Sequence, residues 1–101
     1  MYGTIARLQV KPGSLEALQQ WGSSRSEPIP GYLTEYVFQM DSNPNELYLA
    51  IIFMDKASYV ANAQTPRQQA RYEEMRTMLS ADPEWHDGEV IYAADAASHG
   101  L

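Results

Sequence analysis

Apolar and polar positions along residues 2–10 follow a strand pattern, rich in Tyr2, Thr4, Ile5 and Val10 and stopped by Pro12-Gly13. The period of two puts Ala6, Leu8 and Val10 on one face and Ile5 and Arg7 on the other. Leu15, Leu18 and Trp21, with Ala17 beside them, then recur at helical spacing. Ser14 is placed to cap that helix with its hydroxyl, and Gly22-Ser23-Ser24 weakens its end. Residues 26–31 are expected to be irregular, since two prolines bracket Ile29. A second strand is predicted over residues 32–40, a turn over 41–45, and a third strand over 47–53. The unbroken apolar run of the third strand predicts burial on both of its faces. Asp55 can cap a short helix carrying Tyr59, Val60 and Ala63. Thr65 can cap the next, with Pro66 at its first position and Gln68 three residues after the cap. That helix aligns Tyr72, Met75, Met78 and Leu79 on one stripe, and its outer face offers the pairs Arg71–Glu74 and Glu73–Arg76. Asp82-Pro83 ends it, and a last strand is expected over residues 89–93.

The order is therefore β-α-β-β-α-β, with the second helical region split in two. It matches an α+β, ferredoxin-like arrangement: a four-stranded antiparallel sheet with helices on one face. Right-handed crossovers put the helices on the same side. Residues 1–95 are expected to form this domain and residues 96–101 a short flexible tail. One sheet face is left bare, and neither face reads as polar. Leu47, Leu49, Ile51 and Phe53 share one side of the third strand, and Tyr48, Ala50 and Ile52 the other. On the second strand, Leu33 and Val37 oppose Tyr36, Phe38 and Met40. Large contiguous apolar patches rarely stay exposed, so the bare face is expected to be buried in a homodimer.

Composition narrows the chemistry. The chain has 101 residues, no Cys and a formal net charge of −6. Missing Cys excludes thiolate nucleophiles, disulfides and Cys-ligated zinc or iron–sulfur centres. Net negative charge argues against nucleic acid as a partner. The mean hydropathy is −0.42, and no run approaches the roughly 18 apolar residues of a membrane span. The opening residues show no targeting signal, so a cytoplasmic location is expected. Metal-ligand spacings, Gly-rich phosphate cradles and a nucleophile elbow are all missing from the sequence.

Four motifs in order carry a family resemblance: Val10-Lys11-Pro12-Gly13 after the first strand, Pro30-Gly31-Tyr32-Leu33 opening the second, Asp41-Ser42-Asn43-Pro44-Asn45 between strands, and Phe53-Met54-Asp55-Lys56-Ala57-Ser58-Tyr59 after the third. Over residues 1 to about 93 the chain resembles antibiotic-biosynthesis-monooxygenase (ABM) domains. The resemblance implies a dimeric α+β barrel with a pocket between sheet and helices in each subunit. It implies chemistry such as cofactor-independent oxidation of aromatic polyketides, oxidation of small quinols, or oxygenase cleavage of haem. Polyketide oxidisers use an Asn and a Trp on the third strand and a Tyr on the next helix. The matching positions here hold Leu49, Phe53 and Tyr59, so the Tyr alone is kept. The haem-degrading branch uses an Asn on the first strand and a Trp and a His on the helices, at positions held here by Ala6, Asn62 and Tyr72.

The expected activity is thus a cofactor-independent monooxygenase acting on a small aromatic phenol or quinol in an apolar pocket. Tyr59, Asn62 and Tyr72 would orient the substrate, and His86, the one histidine inside the domain, is a candidate base. Leu49, Phe53, Met75 and Trp85 would line the pocket. The alternative is a dimeric barrel that binds a hydrophobic metabolite without converting it, and a haem-binding relative is a third reading. Neither a cofactor nor a metal is expected.

Overall fold

The computed structural model describes residues 1–24 and 27–99. Strand β1 (Tyr2–Gln9) is followed by helix α1 (Leu15–Ser23), strands β2 (Tyr32–Met40) and β3 (Asn43–Phe53), helices α2 (Lys56–Ala63) and α3 (Pro66–Thr77), and strand β4 (Glu84–Glu89). One helical turn, Ala96–His99, follows. The expected tail and the irregular stretch 26–31 extend into Gly100, Leu101 and Ser26, which lie outside the described residues. The strands form one antiparallel sheet in the order β2-β3-β1-β4, the ferredoxin-like order.

The sheet register sorts the side chains. Ala6, Leu8 and Val10 join Leu47 and Leu49 of β3, Leu18 of α1, and Met75 and Leu79 in one buried cluster. Leu15, Trp21, Ile51, Tyr72 and Met78 pack around it. The helices therefore cover one sheet face, as the stripes of α1 and α3 require. Among the described residues, no helix covers the other face. Leu47, Leu49 and Phe53 are buried, while Tyr48, Ala50 and Ile52 are only half-buried, so β3 is not enclosed on both sides within one chain.

Several boundaries differ from the sequence pattern. The turn before β3 contains only Asp41 and Ser42, because Met40 already pairs with Asn43. Asn43 Oδ1 accepts from the Asn45 amide at 3.0 Å and shapes this entry. Pro44 is tolerated because β1 pairing stops at Glu46. The last strand begins at Glu84, five residues early, and the expected span 89–93 is mostly outside the sheet. Its polar residues are recruited by pairing with Tyr2–Arg7 rather than by β-propensity. The ladder ends where its partner ends: the Val90 amide donates to the Met1 carbonyl at 2.9 Å. Ile91 and Tyr92 run on past it, 95% and 75% exposed.

Local charges also find other partners than the helical pattern offers. Arg71 lies over the Trp21 ring at 4.4 Å and donates to the Trp21 carbonyl at 3.0 Å. Arg76 bridges to Asp82 at 2.7 Å and to the Leu79 carbonyl. On the bare face, Arg7 reaches Glu46 of β3 at 2.5 Å and Glu84 of β4 at 3.0 Å, spanning three strands.

Candidate functional site

Directly paired residues in an antiparallel ladder share a face. Thr4 pairs with Asp87 on one side and Ile51 on the other, and Ala6 pairs with Trp85 and Leu49. Because Ala6 and Leu49 face the helices, Thr4, Asp87 and Trp85 face them too. Helix α2 brings Tyr59 onto this spot. Its start is fixed by Asp55, whose carboxylate accepts from the Ser58 amide at 2.8 Å. Hydrogen bonding to Ser58 holds the Asp55 carboxyl below its ordinary pKa. Gly31 runs close beneath the same turn with φ +80°, and a Cβ there would stand 2.4 Å from Ser58 Cβ.

Three polar groups meet at the centre. The Tyr59 hydroxyl donates to Asp87 Oδ1 at 2.8 Å. Burial, reinforced by the Asp87 carboxylate, pushes the Tyr59 pKa up to about 12. Thr4 is 3% exposed, and its hydroxyl has no hydrogen-bond partner among the described residues. The Thr4 hydroxyl beside Tyr59 opposes part of that upward shift. Aromatic rings flank the trio. Tyr59 meets Tyr2 at 5.3 Å and Phe53 at 5.6 Å, both edge-on, and Phe53 meets Tyr32 at 5.9 Å. On the other side, Tyr72 of α3 lies 6.5 Å from the Trp85 ring. The arrangement sets a carboxylate, a phenol and a hydroxyl against apolar ring surface.

The expected site residues divide between this place and others. Tyr59 and Phe53 are together, and Tyr72 and Trp85 stand one register pair along the sheet. Leu49 and Met75 are closed into the core and reach no open space. Asn62 lines a separate groove of about 350 Å³ with Pro30, Ser58 and Arg67. Tyr59 and Tyr72, the other two residues expected to orient a substrate, are not among the residues lining that groove. His86 also leaves the group. Strand alternation sends it to the bare face, into a groove of about 270 Å³ with Gly3, Ile5, Ile52, Ile91 and Tyr92. Of the three positions of the haem-degrading pattern, Ala6 is fully buried, and the groove lined by Asn62 includes neither Ala6 nor Tyr72.

Thr4, Asp87 and Tyr2 were not singled out by sequence. The signal lay in strand parity: once β4 starts at Glu84, Asp87 must share the face of Trp85, and His86 must oppose it. Among the described residues, no group of three or more acidic or imidazole side chains could hold a metal ion, and no helix is long and apolar enough to cross a membrane.

The fold is one that this chain shares with solved structures of small α+β proteins. No protein-family model and no curated protein sequence matches the chain. A Chloroflexus aurantiacus protein named as a "putative antibiotic biosynthesis monooxygenase" superposes with a TM-score of 0.76 at 23% identity, over 93% of this chain and 96% of that one. A Nitrosomonas europaea protein of the same name gives 0.75 at 18% identity, over 91% and 100%. A conserved protein from Methanosarcina mazei gives 0.73 at 18% identity, over 86% and 89%. The chain thus has the fold of structures bearing the ABM name, as the sequence motifs imply.

Proposed function

We propose that the protein is a cofactor-independent monooxygenase of a small aromatic phenol or quinol, acting in the cytoplasm. The observation that carries this reading is the Tyr59–Asp87 hydrogen bond, set beside the unpartnered Thr4 hydroxyl and between two groups of aromatic rings. A substrate hydroxyl can donate to Asp87 or to the Tyr59 oxygen, which raises electron density in the ring. Tyr59 keeps its own proton at neutral pH and orients the carboxylate rather than acting as the base. The electron balance closes without an added reductant. A hydroquinone and dioxygen give a hydroxyquinone and water, and the substrate supplies all the electrons.

Oxygen uptake with simple hydroquinones tests this reading. Wild-type protein is expected to consume oxygen, and Asp87→Asn to lower kcat/KM by about a hundredfold. No uptake by the wild type, or equal uptake by Asp87→Asn, overturns it.

The proposal includes a second copy of the chain on the bare face. Ile5, Tyr36 and Phe38 are 57%, 61% and 57% exposed there, around the half-buried Tyr48, Ala50 and Ile52. The binding-only reading draws on one observation: Leu49 and Phe53 occupy the positions where polyketide oxidisers carry polar or indole groups, and both are buried. Stable ligand binding with no oxygen uptake would favour it.

A further inference from the structure

The groove of about 350 Å³ beside α2 has fixed walls. Ala57 and Ala61 of α2 and Pro30, from the segment that opens β2, supply its apolar surface. A type II turn holds Pro30 in place: the Tyr32 amide donates to the Ile29 carbonyl at 3.1 Å, with Pro30 second and Gly31, at φ +80°, third. The Gly31 carbonyl in turn accepts from the Met54 amide at 2.7 Å, which ties the turn to the end of β3. Among the described residues lining the groove, Arg67 is the one with a charged side chain.

Arg67 is used differently from the neighbouring arginines. Arg7 is shared by two carboxylates, Arg71 holds the ring and the carbonyl of Trp21, and Arg76 holds Asp82 and the Leu79 carbonyl. Arg67 donates from one guanidinium nitrogen to Glu27, its one partner among the described residues. A guanidinium carries five donors in a planar fork that matches a carboxylate. The Glu27 and Arg67 side chains are 65% and 42% exposed, so water competes for the pair and the bridge exchanges easily. The end of α3 does not supply the charge. Pro66 has no amide to offer, and the Gln68 amide is taken by the Thr65 hydroxyl at 3.1 Å.

We propose that this groove binds a small monocarboxylate with a compact apolar body, and that Arg67 takes its carboxylate in place of Glu27. Glu27 is the internal stand-in for the ligand's charge, and Pro30, Ala57 and Ala61 receive the apolar body. A lone guanidinium in a chain of net charge −6 favours a single negative charge over a dianion. The site goes beyond the oxygenase reading, since neither Tyr59 nor Asp87 lines the groove.

Amide NMR titration of the full chain with cyclohexanecarboxylate, cyclohexylmethanol and inorganic phosphate tests the assignment. The carboxylate is expected to shift the Ala61, Asn62 and Arg67 amides and to bind about tenfold more tightly than the alcohol or phosphate. Glu27→Gln removes the competing carboxylate and is expected to tighten binding about threefold. Arg67→Gln is expected to bring the carboxylate down to the level of the alcohol, while Arg67→Lys keeps part of the difference. Equal binding of carboxylate and alcohol overturns the assignment, as does phosphate binding as tight as the carboxylate's. Glu27→Gln without tighter binding removes the stand-in and overturns it too. Shifts at Trp85 and Asp87 in place of Ala61 and Arg67 would put the ligand at the inner site and have the same effect. Oxygen uptake with hydroquinones judges the oxygenase reading separately.

Discussion

Tyr59 keeps its proton because two effects act in one direction: partial burial disfavours the phenolate, and the Asp87 carboxylate repels it while accepting its hydrogen bond. An unfolded tyrosine titrates near about 10, whereas Tyr59 is pushed up to about 12. The folded state therefore holds this proton more tightly. Its contribution to stability is full below about pH 10 and is lost as pH rises toward about 12. A phenolate absorbance titration is expected to show a late-ionising component in the wild type that Tyr59→Phe lacks. Ionisation of every tyrosine in one step near the ordinary value would remove this picture of the site. Tyr59 was legible in the sequence because it follows a capped helix start. Asp87 was not, because adjacent residues of a strand point to opposite faces and the assignment depends on where the strand begins.

At the level of elements, caps separate what a sequence rule can name from what backbone geometry decides. Asp55 and Thr65 both have extended backbones, and each side chain accepts an amide of its helix, from Ser58 and Gln68. Ser14 has a helical backbone (φ −100°, ψ −2°), and its side chain makes no cap bond. Its own amide instead closes a turn onto the Lys11 carbonyl. In denaturant unfolding, Thr65→Ala is expected to cost about 1 kcal/mol. Ser14→Ala is expected to stay within about 0.5 kcal/mol of the wild type. Equal losses would mean that Ser14 caps in solution. The two hairpin strands and the stripes of α1 and α3 were readable from periodicity alone. β4 was not, because Glu-Trp-His-Asp-Gly-Glu carries no strand pattern and becomes a strand only by pairing with β1.

For the whole molecule, the bare face is where the proposed second copy would pack. Tyr36 and Phe38 project from β2, an edge strand, onto that face. Replacing both with Glu leaves the buried cluster untouched and is expected to convert a sedimenting dimer into a folded monomer, with unchanged far-ultraviolet dichroism. A dimer that survives both substitutions would place the interface elsewhere. The Arg7 bridge adds a different kind of constraint. Glu84 lies directly opposite Arg7 in the ladder, and Glu46 holds the same guanidinium from β3. A slip of β4 by one residue would exchange the faces of its side chains. Asp87 would leave Tyr59, and an even-numbered neighbour, His86 or Gly88, would take its place. Arg7 thus works as an index pin for the strand: by favouring one parity of β4, it keeps the Asp87 carboxylate under the helices against Tyr59 and the imidazole outside.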